Sequence, residues 1–470
     1  MNFIFHVLLF LKSNVMPPKD GNDENQPFKS SLGMRYPTLR EYPIKTGDVW
    51  IQGKKMDDDY RDLWRIHDGL YDLSSFVNSH PGGSDWLEWT QGTDITEAFE
   101  AHHIYTGPEK LLQKFFVKKA TTPRDAPFHF KEDGFYKTVK REVREALKDI
   151  PKWPAILSNI YTDLLLTGYI VCAILAAANN SYWIATLAGV FLGTVTIASH
   201  NYIHRRANFR MYYLNFSMMS WRDWRITHVL SHHLYPNTIN DLELAVLEPM
   251  CQYLPWAKSK WYLKLAWWYQ PIFYAIFFIV GHVKGMVHKL LWKIGLVPYK
   301  APLYWDDFLA YVVLLVMYWF NSSFQNVLLI YLYMFLVAGS HFGITAINAA
   351  HRDPDIFLDG DAPRPLPELD WGVYQLDTVI DRSDVSKFQL LVLTSFGDHG
   401  LHHLFPTLDH GLLKYLYPIF NRNCEKFGAN LLFRTHWEVM KGHFAQLLRT
   451  EPKPTPPKPL KLLPTDKKEE

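Results

Sequence analysis

Two apolar runs, residues 155–178 and 182–199, are separated by only Asn179, Asn180 and Ser181. At ~1.5 Å of rise per residue, each run is long enough to cross ~30 Å of hydrocarbon as a helix. An uncharged joint of three residues then forces an antiparallel hairpin, because lipid tolerates no unpaired backbone between spans. A second hairpin is predicted over 307–320 and 324–347, joined by Asn321, Ser322 and Ser323. The segments after 199, 283 and 347 carry Arg205, Arg206, Arg210, Lys284, Lys289, Lys293 and Arg352. The preference of cytosolic loops for positive charge therefore predicts that these segments are cytosolic and both turns lumenal.

The 470 residues exceed what one compact core usually takes, so several units are expected. The pattern divides into an N-terminal linker (1–42), a soluble unit (43–118), a charged linker (119–152), a polytopic membrane unit (153–440) and a Pro/Lys-rich tail (441–470). The apolar run within 1–15 is too short to span and lacks a small-residue cleavage site, so no cleaved signal peptide is expected. Net charge is only +2, without a basic stripe interleaved with aromatics, which excludes nucleic-acid binding. Cys172, Cys251 and Cys424 lie far apart, which excludes a disulfide framework and a thiolate metal site.

Histidine carries the chemistry. After the second apolar run comes His200-Asn201-Tyr202-Ile203-His204, whose two rings share a helix face. Next is His228-Val229-Leu230-Ser231-His232-His233, and far downstream His399-Gly400-Leu401-His402-His403. Eight neutral imidazoles suit iron, copper or zinc, and are too many for one ion but right for two. His228, His232 and His233 cannot share one narrow α-helical face without local distortion. If the clusters act together, the number of spans between them is even, so 262–283 is read as an interfacial or re-entrant helix. The alternative is that 262–283 spans and 307–320 does not. His351 is a candidate ninth ligand, with a hydrogen-bonded helix-end histidine as the other reading. His341, inside an apolar run, is expected to hydrogen-bond a buried partner, and Asp163 to face the bundle interior. His282, His288, His410 and His436 stand alone and read as structural or surface residues.

In the soluble unit, His80-Pro81-Gly82-Gly83 forms a turn that brings backbone close to a flat macrocycle while the histidine points inward. With Tyr71-Asp72-Leu73, Phe76 and Asp94-Ile95-Thr96-Glu97-Ala98-Phe99, it resembles the cytochrome b5 family. The resemblance implies an α+β fold holding haem b between His80 and a second histidine. His103, four residues after Phe99, is the expected second ligand, with His102 the alternative. Two axial imidazoles leave no site for oxygen, so this haem would carry electrons. Glu88, Glu97 and Glu100 are candidates for an acidic rim facing a basic reductase.

The order of the three boxes, with the flanks Leu234-Tyr235-Pro236-Asn237-Thr238 and Leu404-Phe405-Pro406-Thr407, resembles the membrane fatty-acid desaturase and hydroxylase superfamily. The whole arrangement resembles the insect cytochrome b5-related proteins. It implies an all-α membrane body of about four transmembrane helices plus an interfacial helix, under a cytosolic His-rich cap. It also implies two non-haem irons, O2 as co-substrate, NADH-cytochrome b5 reductase or a similar flavoprotein as partner, and a lipid acyl substrate. Desaturation is the expected reaction, with hydroxylation, or electron carriage by an inactive body, as alternatives. His399 stands where front-end desaturases carry glutamine, and the middle box has one residue more than theirs; both differences weigh against front-end regiochemistry. Lys467-Lys468-Glu469-Glu470 reads as a dilysine signal, predicting an endoplasmic reticulum membrane protein with haem unit, boxes and both termini cytosolic.

Overall fold

The computed structural model describes residues 28–248, 250–256, 260–347 and 350–461. The expectations for the first 15 residues and for the dilysine tail lie outside the described residues.

Helix α1 (Gly47–Asp58) starts on Thr46, whose hydroxyl accepts from the Val49 amide. An antiparallel sheet follows in the order β1 (Trp64–Ile66), β2 (Gly69–Tyr71), β3 (Phe116–Lys119), with Trp64 opposite Tyr71 and Tyr71 opposite Phe116. Between β2 and β3 lie α2 (Asp85–Thr90) and α3 (Thr96–His102). Trp64, Ile66, Leu73 and Leu87 form a small separate core.

Residues 119–152 are not simply solvated. Helix α4 (Phe135–Ala146) buries Phe135, Tyr136, Val139 and Val143, a helical repeat of three and four residues. Lys140 on the same helix donates to Glu100 of α3 at 2.8 Å, while Tyr136 packs on Trp371 and Phe405 of the body. The helix thus clamps the small unit to the large one.

The body is a helical bundle. Helices α5 (Trp153–Ala178) and α6 (Tyr182–Ile203) form the expected hairpin, with Ser181 capping α6. Helix α7 (Ala266–Lys293) precedes α8 (Leu309–Trp319) and α9 (Phe324–Phe342), the last capped by Ser323. The Asn321 amide donates to the Ala177 carbonyl and to Asn180 Oδ1, so both polar turns meet at one end. The histidine boxes lie at the other. Helices α6 and α9 approach closely: a Cβ on Gly189 would stand 2.7 Å from the Met334 carbonyl oxygen.

By length and composition, 153–178, 182–203, 261–293 and 324–347 are able to cross a membrane. Helix α7 nevertheless has both ends tied to the box end: Tyr269 donates to the Met250 carbonyl, Lys284 to the Lys45 carbonyl, and Lys289 pairs with Asp307. It crosses α9 near the box end, where Phe277 and Phe278 meet Phe342 and the Tyr274 and Ala275 backbone stands against Gly339. The 11-residue α8 instead runs from Asp306, held by Asn215 and Arg222 at the box end, to the Asn321 turn. Exposed Ile156, Ile160, Leu164, Leu187 and Leu329 face outward from the bundle, with exposed Trp183 and Trp319 at the turn end and Trp153 and Trp305 at the other, a belt suited to lipid.

Candidate metal centre and haem site

His200 ends α6 and His204 caps it, with their Nε2 atoms 2.9 Å apart. The middle box solves its extra residue by changing helix type: Arg225–His232 is a π-helix, and the His233 amide donates to the His228 carbonyl at 2.8 Å. The wider turn puts residues i, i+4 and i+5 on one face, where an α-helix would splay them. The third box opens a helix of its own, α11 (His399–Leu404), which follows α10 (Trp371–Asp377). A second π segment, Gly343–Ile347, precedes His351.

These elements bring nine imidazoles together, all buried. His200, His204, His228, His233 and His402 form one group, and His232, His351, His399 and His403 the other; ligand atoms within each lie within 4.8 Å of one another. The groups adjoin, with the His233 and His403 rings stacked at 3.9 Å. All eight box histidines and His351 are thus at one end of the bundle.

The orientation of the rings is set by a shell of acceptors. His228 Nδ1 donates to Glu243 Oε1 (2.7 Å), His232 Nδ1 to Asp241 Oδ2 (2.9 Å), His403 Nδ1 to Gln375 Oε1 (2.9 Å) and His351 Nδ1 to the Thr378 carbonyl (2.8 Å). Each of these rings, while neutral, then carries its lone pair on Nε2. His351 Nε2 lies 3.0 Å from His403 Nε2, so two lone pairs face each other, an arrangement that calls for a cation between them. Burial, and then the neighbouring imidazoles, hold His204, His233, His399, His402 and His403 well below the ordinary imidazole range, which keeps them unprotonated as metal ligation requires. The donor set fits two metal ions.

Asp241 and Glu243 were not legible as part of the site. Asn237, in a left-handed conformation (φ 58°), turns the chain after the middle box and sends it back, so that the acids meet rings nine and fifteen residues earlier. Two acids soon after a box, inside an otherwise apolar stretch, were the available signal. His410 was read as structural or surface; it is buried, with its ring 4.6 Å from that of His402 and its Nδ1 on Asn201 Oδ1. His341 hydrogen-bonds Thr194 Oγ1, a partner that is half-buried and not buried as expected. His282 bonds the Met218 carbonyl and Tyr311, and His436 meets Arg382. Asp163 is 40% exposed and paired with Arg210, so it does not face the bundle interior.

In the small unit, the His80 and His103 ring centroids are 6.3 Å apart. That leaves room for one iron between them, with two metal–nitrogen bonds of ~2 Å and half a ring on each side. His80 Nδ1 donates to the Gly83 carbonyl and His103 Nδ1 to the Phe99 carbonyl, freeing both Nε2 lone pairs for a haem iron. Gly83 has φ +114°, and a Cβ on Gly82 would stand 2.9 Å from the His80 ring, so both glycines are required. The His102 ring turns instead to Trp86 at 5.8 Å. The expected acidic rim does not form as a set: Glu97 is buried against Arg124 and Tyr235, and Glu100 against Lys137 and Lys140 of α4. Only Glu88 remains exposed.

A fatty acid desaturase family model matches residues 180–435, more than half of the chain. The chain belongs to the fatty acid desaturase family. A cytochrome b5-like haem/steroid binding domain model matches residues 51–120 of this desaturase-family chain. It is 42% identical over 434 residues to a cytochrome b5-related protein of Drosophila melanogaster, covering 91% of this chain and 98% of that one. It is also 25% identical over 433 residues to acyl-lipid (8-3)-desaturase B of Dictyostelium discoideum, covering 83% and 91% respectively. No solved structure matches. The protein is therefore a desaturase-like membrane oxidoreductase with a haem-binding cytochrome b5 domain, and its family implies iron at the histidine groups.

Proposed function

We propose that the chain desaturates a long-chain acyl lipid, using O2 and electrons that enter through its own haem domain. The observation that carries this reading is the convergence of nine imidazoles, in two adjoining groups, beside a cavity of about 430 Å³ that His228, His232, His351 and His399 help to line. His200, His204, His228, His233 and His402 hold one iron, His232, His351, His399 and His403 the other, and His80 and His103 hold the haem. Bound iron with O2 supplies the oxidising power to take hydrogen from an unactivated methylene, and bound haem supplies the electrons.

The residues do the rest. Trp224, Phe277, Phe342 and Phe396 line the cavity with apolar surface that takes methylenes and excludes water. Glu243, Asp241, Gln375 and the Thr378 carbonyl fix the rings so that metal-binding geometry exists before substrate arrives. The acyl-lipid substrate class accords with the printed names of the Dictyostelium discoideum and Physcomitrium patens relatives, both acyl-lipid (8-3)-desaturases. NADH-cytochrome b5 reductase or a similar flavoprotein is the electron donor. The chain sits in the endoplasmic reticulum membrane with boxes, haem domain and both termini cytosolic, so that the basic segments beside the boxes stay in the cytosol.

Expression in desaturase-deficient cells with lipid profiling tests this. The intact chain is expected to give a new unsaturated acyl product that His402→Ala does not give. Identical profiles would sink the enzyme reading, and an alcohol in place of an alkene would make the protein a hydroxylase.

A further inference from the structure

The cavity wall carries several cations, and among the described residues all but one are satisfied. Lys45 pairs with Glu248, Arg222 with Asp306 and Lys289 with Asp307, while Lys284 donates to the Lys45 carbonyl. Arg352 differs. It lines the cavity, is 5% exposed, and follows His351 directly in the chain. Its guanidinium carbon lies 4.6 Å over the Tyr253 ring, and one terminal nitrogen reaches the Glu243 carbonyl at 3.5 Å. Among the described residues its Nε and its other terminal nitrogen have no hydrogen-bond partner, and the neighbouring Tyr253 hydroxyl already accepts from Gln270. The nearby Glu243 carboxylate is already engaged by His228 and Trp224.

Buried donors of a permanent cation are costly to leave unmet, so a ligand oxygen is expected against them. A guanidinium edge offers two N–H groups in a plane, the shape that matches a carbonyl or carboxylate. We propose that Arg352 anchors the head oxygen of the substrate's acyl chain, through donation from Nε and the free terminal nitrogen. The inference rests on the acyl-lipid reading above. Arg352 reaches the Glu243 carbonyl, and the Glu243 carboxylate holds His228, so a head held by Arg352 stands beside the histidine groups. The methylene that reacts is then fixed by counting carbons from the head, and Arg352 becomes the determinant of bond position. Phe273, Phe277 and Phe342 take the chain beyond it.

Equilibrium binding of radiolabelled stearate, methyl stearate and hexadecane to the detergent-solubilised full chain tests the anchor without turnover. Arg352→Gln is expected to weaken binding of the oxygen-bearing probes about tenfold or more, as loss of hydrogen bonds to a charged group does, and to leave hexadecane unchanged. Loss confined to stearate assigns a carboxylate head, and loss for both assigns a carbonyl; either supports the anchor. Equal binding of all three probes by both proteins overturns the anchor and leaves the acyl reading standing. Failure of the intact chain to bind any probe overturns both. Arg352→Lys, with haem absorbance and iron content as folding controls, keeps the charge but not the fork. In desaturase-deficient cells it is expected to raise KM and to scatter the double-bond position; an unchanged KM and position overturn the proposal.

Discussion

The Arg225 guanidinium lies 4.7 Å over the ring of Trp86, joining the body to helix α2 of the haem domain. The same side chain donates to the carbonyls of Ile203 and Arg205, on either side of His204. Trp86 in turn touches His102, which precedes His103. One buried arginine therefore bridges the haem domain and the chain segment that carries His204. Arg225→Lys keeps the charge and loses both the fork and the stacking plane. Haem and iron contents should persist, while stopped-flow reoxidation of the reduced haem slows about tenfold or more, the scale on which small misplacements act. An unchanged rate would mean that electrons do not depend on this contact.

His351 Nε2 lies 2.9 Å from His399 Nε2 and completes the four-ring group. His351→Ala should leave that group short and reduce iron from two ions to about one per haem, as elemental analysis would read, with the five-ring group intact. His341→Ala is the control, since that ring bonds only Thr194 among the described contacts and should leave iron unchanged.

How much of this was legible follows from the range of the forces. The hairpin of α5 and α6 was, because span length and an uncharged turn are local properties. So were the boxes and the haem turn, whose ligands lie within a few residues of each other. The π-helix was legible only as a conflict: His228, His232 and His233 demanded a distortion whose form needed the body around it. Glu97 and Glu100 were misread because their partners, Arg124 and Lys140, lie 27 and 40 residues on, and charge alone does not say which face is covered. His351 was left open because its partners, His399 and His403, are about 50 residues away.

Glu243 Oε1 accepts from His228 Nδ1 at 2.7 Å, and Oε2 lies 3.8 Å from His232 Nδ1. One carboxylate therefore holds a ring of the first histidine group and stands near a ring of the second. Glu243→Gln preserves size but removes the charge that makes these rings strong donors to a metal, and iron affinity should fall about 10–100-fold. A chelator titration followed by elemental analysis reads this directly; equal iron retention in variant and intact chain would show that the carboxylate only fills space.

The two haem-side histidines separate by spectrum. His103 faces His80 at 6.3 Å, whereas His102 faces Trp86. His103→Ala should lose the low-spin signature of two axial imidazoles, and His102→Ala should keep it. The reverse result would move the iron to His102 and require the turn after α3 to be re-registered by one residue.

Asp48 lines the cavity near Lys45, and burial, reinforced by Asp223, pushes its carboxyl from the usual 3.8 up to about 7. The folded chain thus holds this proton over a pH range in which the unfolded chain has already released it. Stability contributed by the protonated group is complete below the unfolded value and is lost as pH rises through about 7. Asp48→Asn removes the ionisation, so the variant should match the intact chain below pH ~4 and exceed it above pH ~7. Allowing for partial solvent access, the gap should reach about 1–2 kcal/mol. Thermal unfolding followed across that pH range checks the sign: a difference in Tm that widens towards alkaline pH supports a carboxyl kept neutral by its surroundings. A constant difference would mean that Asp48 is ionised throughout, with Lys289 and Lys300 outweighing burial.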